Sequence, residues 1–502
     1  MTHDKTSTQP TSGDTTSSTS SSSETITTIS PSTNKSILTR TSATPSEVSK
    51  LPTTARNAYR SFRQSHPTLQ SRLPILRKFL DLLTDRTDEL ASELTEQMGR
   101  PISYTPVEIK TAIKRAGYLV NIAPEVLSDN IPVLGEVESG FKRYLQRSHP
   151  LGVVLVIFAW NYPYLILVNS LIPALLAGNA IILKPSPQTP TIAEHVVDML
   201  HEAGLPKGVV QYVHVGKVED LKPLVQSVDV DHICFTGSVA GGTAVQKLVI
   251  EGGKGIRCGV GLELGGKDPA YVREDFAGDE KGIKWAAEEI IDGAIFNSGQ
   301  SCCSIERVYV HEKVYDQFVK QCKKVLEAYR VGDPSKKETQ IGPVVSKRAK
   351  EMILKQVDDA VKKGAKDETP ANKTFANLDP AGNYVAPVLL SNVTHKMDVM
   401  MDETFGPVLP VQKVGSDEEA ITLMNDSQFG LTASVWTKDA AKGEELIQHI
   451  EAGTVFVNRA DFPSPDLAWT GWKDSGKGVT LSRFGFEQFV RVRSVHVKSY
   501  PN

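Results

Sequence analysis

Residues 151–183, LGVVLVIFAWNYPYLILVNSLIPALLAGNAIIL, decide the fold. The run is apolar enough and long enough to cross a bilayer. Asn161, Pro163, Asn169, Pro173 and Asn179 interrupt it with polar and helix-breaking side chains. The competing reading is a buried parallel strand at Val153–Phe158, a loop, a core helix over Leu165–Ala177 and a second strand at Ala180–Leu183. That reading is adopted, so no membrane span is expected.

The same rhythm continues outward. Short Val/Ile runs at Val209–Val213 and His232–Phe235 are separated by segments of helical pattern or length. A second alternating stretch follows Cys302, with strand candidates Glu306–Val310, Val388–Leu390, Val408–Val411, Ala433–Thr437 and Thr454–Val457. Such βαβ alternation predicts an α/β protein with two doubly wound parallel-sheet domains. Upstream, Ser46–Met98 is helical, opened by Pro45-Ser46-Glu47-Val48 and continued by Arg72–Leu83. Phe141–Arg147 and Val490–Ser499 read as amphipathic strands outside both domains. No internal repeat is present.

Composition narrows the function classes. The chain has 502 residues, 40% hydrophobic and 23% charged, ordinary values for a globular protein of two or three domains. A net charge of −3 gives no reason to expect nucleic acid as a partner. The five cysteines form no CxxC pair, no HExxH is present, and no metal is expected. Met1 to about Thr28 is Ser/Thr-rich and reads as a disordered tail. It lacks an apolar signal core, and Asp4, Asp14 and Glu24 oppose a transit peptide, so a cytoplasmic location is expected over a mitochondrial one.

The chemistry concentrates in Phe296-Asn297-Ser298-Gly299-Gln300-Ser301-Cys302-Cys303. A free thiol is more often a small buried apolar residue than a nucleophile. Its company changes the reading: Asn161 in Trp-Asn-Tyr-Pro, Glu263 in Leu-Glu-Leu-Gly-Gly-Lys and Glu403 in Glu-Thr-Phe-Gly-Pro. Singly, Asn161 reads as a turn residue, Glu263 as an ion-paired carboxylate and Glu403 as a surface charge. Several of them fall in loops expected after strands, where α/β sheets place ligands. Strand His232–Phe235 runs into Thr236-Gly237-Ser238, with Gly242 near the first turn of the next helix. This is either a plain βα turn capped by Ser238 or a cradle for a pyrophosphate. Gly261–Lys267 mimics a P-loop, but Asp268 stands where a hydroxyl is needed. Gly259, Gly261 and Gly265 mimic a Gly-rich dinucleotide turn only weakly.

Taken together, these segments resemble the NAD(P)-dependent aldehyde dehydrogenase superfamily, of the non-acylating type, from roughly Ile29 to the C-terminus. The C-terminal Gly471-Trp472-Lys473-Asp474-Ser475-Gly476 resembles the family's closing stretch. The resemblance implies a Rossmann-like dinucleotide-binding domain at 29–262, with 120–150 partly in an oligomerisation element, and a catalytic domain at 263–445. Residues 446–502 would return to the first domain and supply an oligomerisation strand, making a homodimer or homotetramer. It makes Cys302 the nucleophile, Asn161 and the Cys302 N–H the oxyanion hole, and Glu263 the base that activates water to deacylate the Cys302 thioester. It also makes Trp160, Lys184, Gly237, Ser238, Gly242, Glu403 and Phe405 the cofactor site. Pro187 stands where many NAD-preferring relatives carry glutamate, which weakens the case for NAD over NADP; NAD is expected, with NADP as the alternative. Tyr162 and Phe296, with Phe462 and Trp469, resemble the lining of an aromatic tunnel for an apolar or aromatic aldehyde. A cationic aldehyde is the variant that an aromatic box would accept. Asn169 replaces an arginine that some semialdehyde-oxidising relatives use on a distal carboxylate, which argues against such substrates. Cys303 would protect or inactivate its neighbour through a vicinal disulfide. Two other functions compete: a cofactor-independent thiol esterase, and a non-catalytic binding protein on the same scaffold.

Overall fold

The computed structural model describes residues 24–129, 140–217, 219–371, 374–375 and 378–500. The chain enters through an antiparallel hairpin of β1 (Thr25–Ile29) and β2 (Ser36–Thr41). The expected tail at 1–28 is therefore too long: Ile26 and Thr28 are buried in alternation, so β-branched residues that look polar as a group pack one face. The rest of that segment, 1–23, lies outside the described residues. Four helices follow, α1 (Pro45–Ser65), α2 (Leu69–Asp85), α3 (Thr87–Met98) and α4 (Thr105–Val126). A capping box starts α1: Thr44 N donates to Glu47 Oε2 at 2.8 Å, and Glu47 N donates to Thr44 Oγ1 at 3.3 Å.

After β3 (Phe141–Pro150) the alternation begins: β4 (Val153–Ile157), α5 (Pro163–Ala177), β5 (Ala180–Lys184), α6 (Thr191–Glu202) and β6 (Val210–Tyr212). The short α7 (Lys222–Val225), β7 (His232–Thr236), α8 (Val239–Glu251) and β8 (Gly259–Glu263) complete this unit. Strand order is β8-β7-β4-β5-β6, all parallel. All five residues of β4 are buried. Val154 and Val156 enter the core shared with α2–α6, while Val153, Leu155 and Ile157 enter the core under α1 and α8. Burial on both faces is why the segment reads as a continuous apolar run. Pro163 opens α5 at its first turn and left-handed Gly178 (φ 96°) ends it. No helix among the described residues is long and apolar enough to cross a membrane.

The second unit comprises β9 (Asp268–Val272), α9 (Glu280–Ile295), β10 (Ile305–His311), α10 (Glu312–Ala328), α11 (Lys347–Lys362), β11 (Lys366–Asp367), β12 (Val388–Ser391) and β13 (Val408–Val414). Beyond it come β14 (Phe429–Gly430), β15 (Thr432–Trp436), β16 (Thr454–Val457), β17 (Trp472–Lys473), β18 (Gly476–Lys477) and β19 (Val490–Lys498). The second sheet has the order β11-β12-β13-β10-β9-β15-β16, parallel except for β11. Because β16 pairs with β15, this sheet reaches Val457, past the expected boundary at 445. The chain then returns to the first sheet, where β18 adds antiparallel to β8. Outside both sheets, β3 and β19 pair as an antiparallel ribbon. β8 was not expected, because its glycines weaken the strand signal. They fit close neighbours: a Cβ on Gly259 would sit 2.4 Å from His232 Nδ1 in the ring, and one on Gly261 2.8 Å from Gln488 Oε1, which would have to move aside.

Candidate active site

In the first sheet, β5 and β6 lie on one side of β4, and β7 and β8 on the other. The strand order thus reverses between β4 and β7, and ligands enter such sheets at the carboxyl ends beside that reversal. Asn161 follows β4, Gly237 and Ser238 follow β7, and Glu263 ends β8. Cys302 precedes β10 and Glu403 and Phe405 precede β13, so they stand at the amino ends of the second sheet, not after strands. The crevice lies between the carboxyl edge of one sheet and the amino edge of the other.

Two cavities meet in it. One, of about 280 Å³, is lined by residues that include Tyr104, Arg115, Tyr162, Asn169, Phe296, Asp461, Phe462 and Trp469. The other, of about 260 Å³, is lined by residues that include Trp160, Gly237, Ser238, Gly265, Glu403 and Phe405. Asn161, Ile166, Thr236, Glu263, Leu264 and Cys302 line both. The three residues expected to carry the chemistry thus form a shared wall. Of the expected cofactor residues, Lys184 and Gly242 are not among those lining the second cavity. Lys184 ends β5, and Gly242 lies under Leu264, whose Cδ2 would be 2.7 Å from an added Cβ. Ser238 caps α8 by accepting from Gly241 N at 3.2 Å, so the plain-turn reading is correct locally, whatever else the turn binds.

The thiol turn is built by three consecutive left-handed residues, Asn297 (φ 54°), Ser298 (φ 60°) and Gly299 (φ 72°). Only Gly adopts this region freely, so the strain must be held by the surroundings. Asn297 Nδ2 donates to Gln300 O at 3.1 Å, and Gln300 Oε1 accepts from Val345 N at 2.7 Å. A Cβ on Gly299 would lie 2.2 Å from Gly406 O, so the turn sits directly on the backbone before β13. Asn161 Nδ2 donates to Gln300 O at 3.2 Å, which leaves its second N–H for another acceptor. Cys302 is half-buried and Cys303 buried, and all five cysteines are free. The vicinal disulfide is absent; Cys303 Sγ instead donates to Asp461 Oδ1 at 2.8 Å.

Electrostatics sort the carboxyl groups. Burial raises the Glu263 carboxyl above its ordinary range, opposed by a hydrogen bond from Thr480 Oγ1 and by Arg115. Burial and the neighbouring Glu306 lift Glu403 to about 8, against the Gly266 N–H that it accepts at 3.1 Å and Lys267. Gly265 permits this approach, since a Cβ there would be 2.2 Å from Glu403 Oε1. Buried Lys267 donates to Glu306 Oε2 at 2.7 Å, and Glu306 accepts from Thr404 N at 2.7 Å and Phe405 N at 2.8 Å. That ion pair fixes the turn carrying Glu403 and Phe405, whose ring meets Trp160 edge-on at 5.8 Å.

Sequence reading missed the residues that tie the loops together. Arg100 is buried; its Nε donates to Asn297 Oδ1 at 3.0 Å, and its other nitrogens to Glu108 and Asn161 O. Its guanidinium lies 4.1 Å from the centre of the Tyr162 ring. Asp461, with burial raising its carboxyl to about 7, and Arg115 were also missed. The available signal for Arg115 was a charged residue spaced among Ile109, Ala112, Ala116 and Leu119 on the buried face of α4.

A family model described as the aldehyde dehydrogenase family matches residues 18–495. An aldehyde dehydrogenase of Paenarthrobacter nicotinovorans is 34% identical over 474 residues, covering 94% of this chain and 99% of the relative. A succinate-semialdehyde dehydrogenase [NADP(+)] of Mycobacterium avium (strain 104) is 33% identical, covering 94% and 97%. Among solved structures, betaine aldehyde dehydrogenase from Staphylococcus aureus in complex with NAD+ superposes with a TM-score of 0.87 at 26% identity, covering 95% of this chain and 92% of that one.

Proposed function

This chain belongs to the aldehyde dehydrogenase family, and from that premise we propose that Cys302, Asn161 and Glu263 carry out its aldehyde oxidation. The enzyme oxidises an aldehyde with NAD or NADP. The observation that carries the residue assignment is the shared wall: Cys302, Asn161 and Glu263 are the ionisable or amide side chains common to both cavities.

The second cavity suits a dinucleotide. Gly265 leaves room against Glu403, the start of α8 offers backbone N–H groups, and Trp160 with Phe405 supplies flat apolar surface. Burial holds the Lys184 ammonium down to about 8, the environment of a cation that gains from an anionic or hydroxylated partner. The bound nicotinamide supplies an acceptor for the hydrogen and electron pair that leave the substrate carbon. NAD is the proposed working cofactor and NADP the alternative, since Pro187 offers no carboxylate to exclude a 2′-phosphate.

The protein's own steps follow from position. The Cys302 thiolate attacks the aldehyde carbon, and its carbonyl π pair moves to oxygen. The free N–H of Asn161 Nδ2 and the Cys302 backbone N–H receive that oxyanion. Once the carbon has given up its hydrogen, it is a thioester on Cys302. Glu263, raised by burial, takes a proton from water as the water oxygen adds to the thioester carbon; the C–S bond breaks and the acid leaves. Arg100 positions both halves by holding Asn161 and Asn297.

The substrate body is proposed to be apolar or aromatic, lying against Tyr104, Tyr162, Phe296 and Trp469. A homo-oligomer is proposed through the β3–β19 ribbon, which exposes Val492 and Val497 outside both sheets. Five unpaired thiols suit a reducing compartment, and the cytoplasm is the proposed location. The test is reduced-nucleotide absorbance with an aldehyde panel and both nucleotides, in wild type and in Cys302→Ala. Aldehyde-dependent reduction that requires Cys302 supports the assignment; hydride transfer that survives in Cys302→Ala refutes it.

A further inference from the structure

The substrate-side cavity contains a guanidinium with no ionic partner. Arg115, on α4, is 5% exposed, yet no carboxylate among the described residues pairs with it. Its fixed contacts are all neutral. Nη1 donates to Leu165 O at 3.3 Å and Asn169 Oδ1 at 3.0 Å, and Nη2 donates to Pro463 O at 3.2 Å. The Nε–H is buried and has no hydrogen-bond partner, and Nη2 keeps one N–H beyond its bond to Pro463. The other guanidinium of the cavity, Arg100, is spent on Asn297, Glu108 and Asn161.

A buried cation without a counter-ion is costly, and its loss of hydration is offset only by a charged or strongly accepting partner. Burial already lowers Arg115 to about 10, and the groups opposing that shift include Glu263, Cys303 and Cys302, the reacting wall of the cavity. Glu263 and Asp461 face the same space, with burial raising both carboxyls, but neither forms an ion pair with Arg115. Tyr162 Oη, also buried in the cavity, lacks a hydrogen bond within bonding distance. Asn169 is thus not an empty substitute for an arginine. It is the acceptor that orients an arginine arriving from a different helix.

Resting on the aldehyde-oxidising reading above, we propose that Arg115 is a specificity-determining residue that receives a carboxylate at the far end of the aldehyde substrate. The carboxylate takes the free Nε–H and the remaining Nη2 N–H, a charge-assisted pairing that a planar guanidinium makes in two-point fashion. On this proposal Asn169 serves to orient Arg115, which stands against the expectation that its presence disfavours carboxylate-bearing aldehydes. The cavity, about 280 Å³, restricts the substrate to a small one.

The test compares straight-chain aldehydes of about three to six carbons, a range set by the small cavity, in three forms: neutral, ω-carboxylate and ω-trimethylammonium. Expected is the highest kcat/KM for the carboxylate form in wild type. In Arg115→Met the ratio of carboxylate to neutral kcat/KM falls about 10–100-fold, through KM more than kcat. Arg115→Lys restores part of the ratio, because it keeps the charge but not the fork. As a check that needs no turnover, calorimetry on the Cys302→Ala protein with NAD present should detect binding of a short ω-carboxylate acid, weakened by added Arg115→Met. A wild-type preference for the neutral or trimethylammonium form, or equal loss on carboxylate and neutral aldehydes in Arg115→Met, overturns the proposal. No nucleotide reduction with any of the three forms would instead count against the dehydrogenase assignment itself.

Discussion

Gly265 is the position where a single methyl group should separate nucleotide binding from the rest of the protein. In Gly265→Ala the new Cβ would lie 2.2 Å from Glu403 Oε1 and 2.5 Å from both Cδ and Oε2. Ordinary contact requires the carboxyl to retreat by about 1 Å. The carboxyl is the end of a flexible side chain and can swing aside, while the backbone of Thr404 and Phe405 stays anchored through its N–H groups to Glu306, which Lys267 holds. Retreat also breaks the bond from Gly266 N to Glu403 Oε1. A displaced carboxyl no longer offers NAD the charge-assisted hydrogen bonds expected of it, a loss of about 1–3 kcal/mol, so NAD affinity should fall roughly 5–150-fold. Calorimetric titration of NAD measures this directly, and the thermal midpoint without nucleotide reports any general damage. Labelling of Cys302 by a thiol reagent should persist, since the thiol turn is supported separately through Asn297 and Gln300. Unchanged NAD affinity in a folded Gly265→Ala protein would refute the claim that Glu403 and Gly265 shape the nucleotide cavity.

Cys302→Ala should lower aldehyde turnover by at least about 10³-fold and abolish active-site thiol labelling, while Cys303→Ala retains most activity; both are read by nucleotide reduction and peptide mass spectrometry. Glu263→Gln should retain a pre-steady-state burst and then turn over slowly, with the acyl group trapped on the Cys302 peptide; absence of burst and adduct at high pH would move Glu263 to another role. Because burial raises the Glu263 carboxyl, the base is protonated over more of the acid range, so wild-type kcat should fall as pH drops through that raised value, and this limb should vanish from deacylation in Glu263→Gln. Pro187→Glu should lower kcat/KM for NADP far more than for NAD, since a carboxylate would face the 2′-phosphate; equal effects would show that residue 187 does not touch that ribose.

What the sequence by itself determined was everything that one segment can encode alone. Val153–Ile157 declares a two-faced buried strand because its side chains alternate between two apolar cores. Asn161, Glu263, Cys302 and Glu403 were legible as a set, by resemblance to a known constellation, and Ser238 as a helix cap. The expected N-terminal tail was overextended because a count of Ser and Thr hides the alternation that buries Ile26 and Thr28. Tertiary structure decided what depends on neighbours distant in the chain. Glycine at 259 and 261 answers to His232 and Gln488, so β8 could not be read from its own composition. Arg100 matters because it meets Asn297, 197 residues away, and Arg115 because Pro463, 348 residues away, takes one of its donors while its Nε–H has no partner among the described residues. Local propensity is written in consecutive residues, but desolvation and pairing of a charge are settled only by which surfaces fold against it. The residues of the shared wall were therefore readable before folding, and the unpaired guanidinium beside them was not.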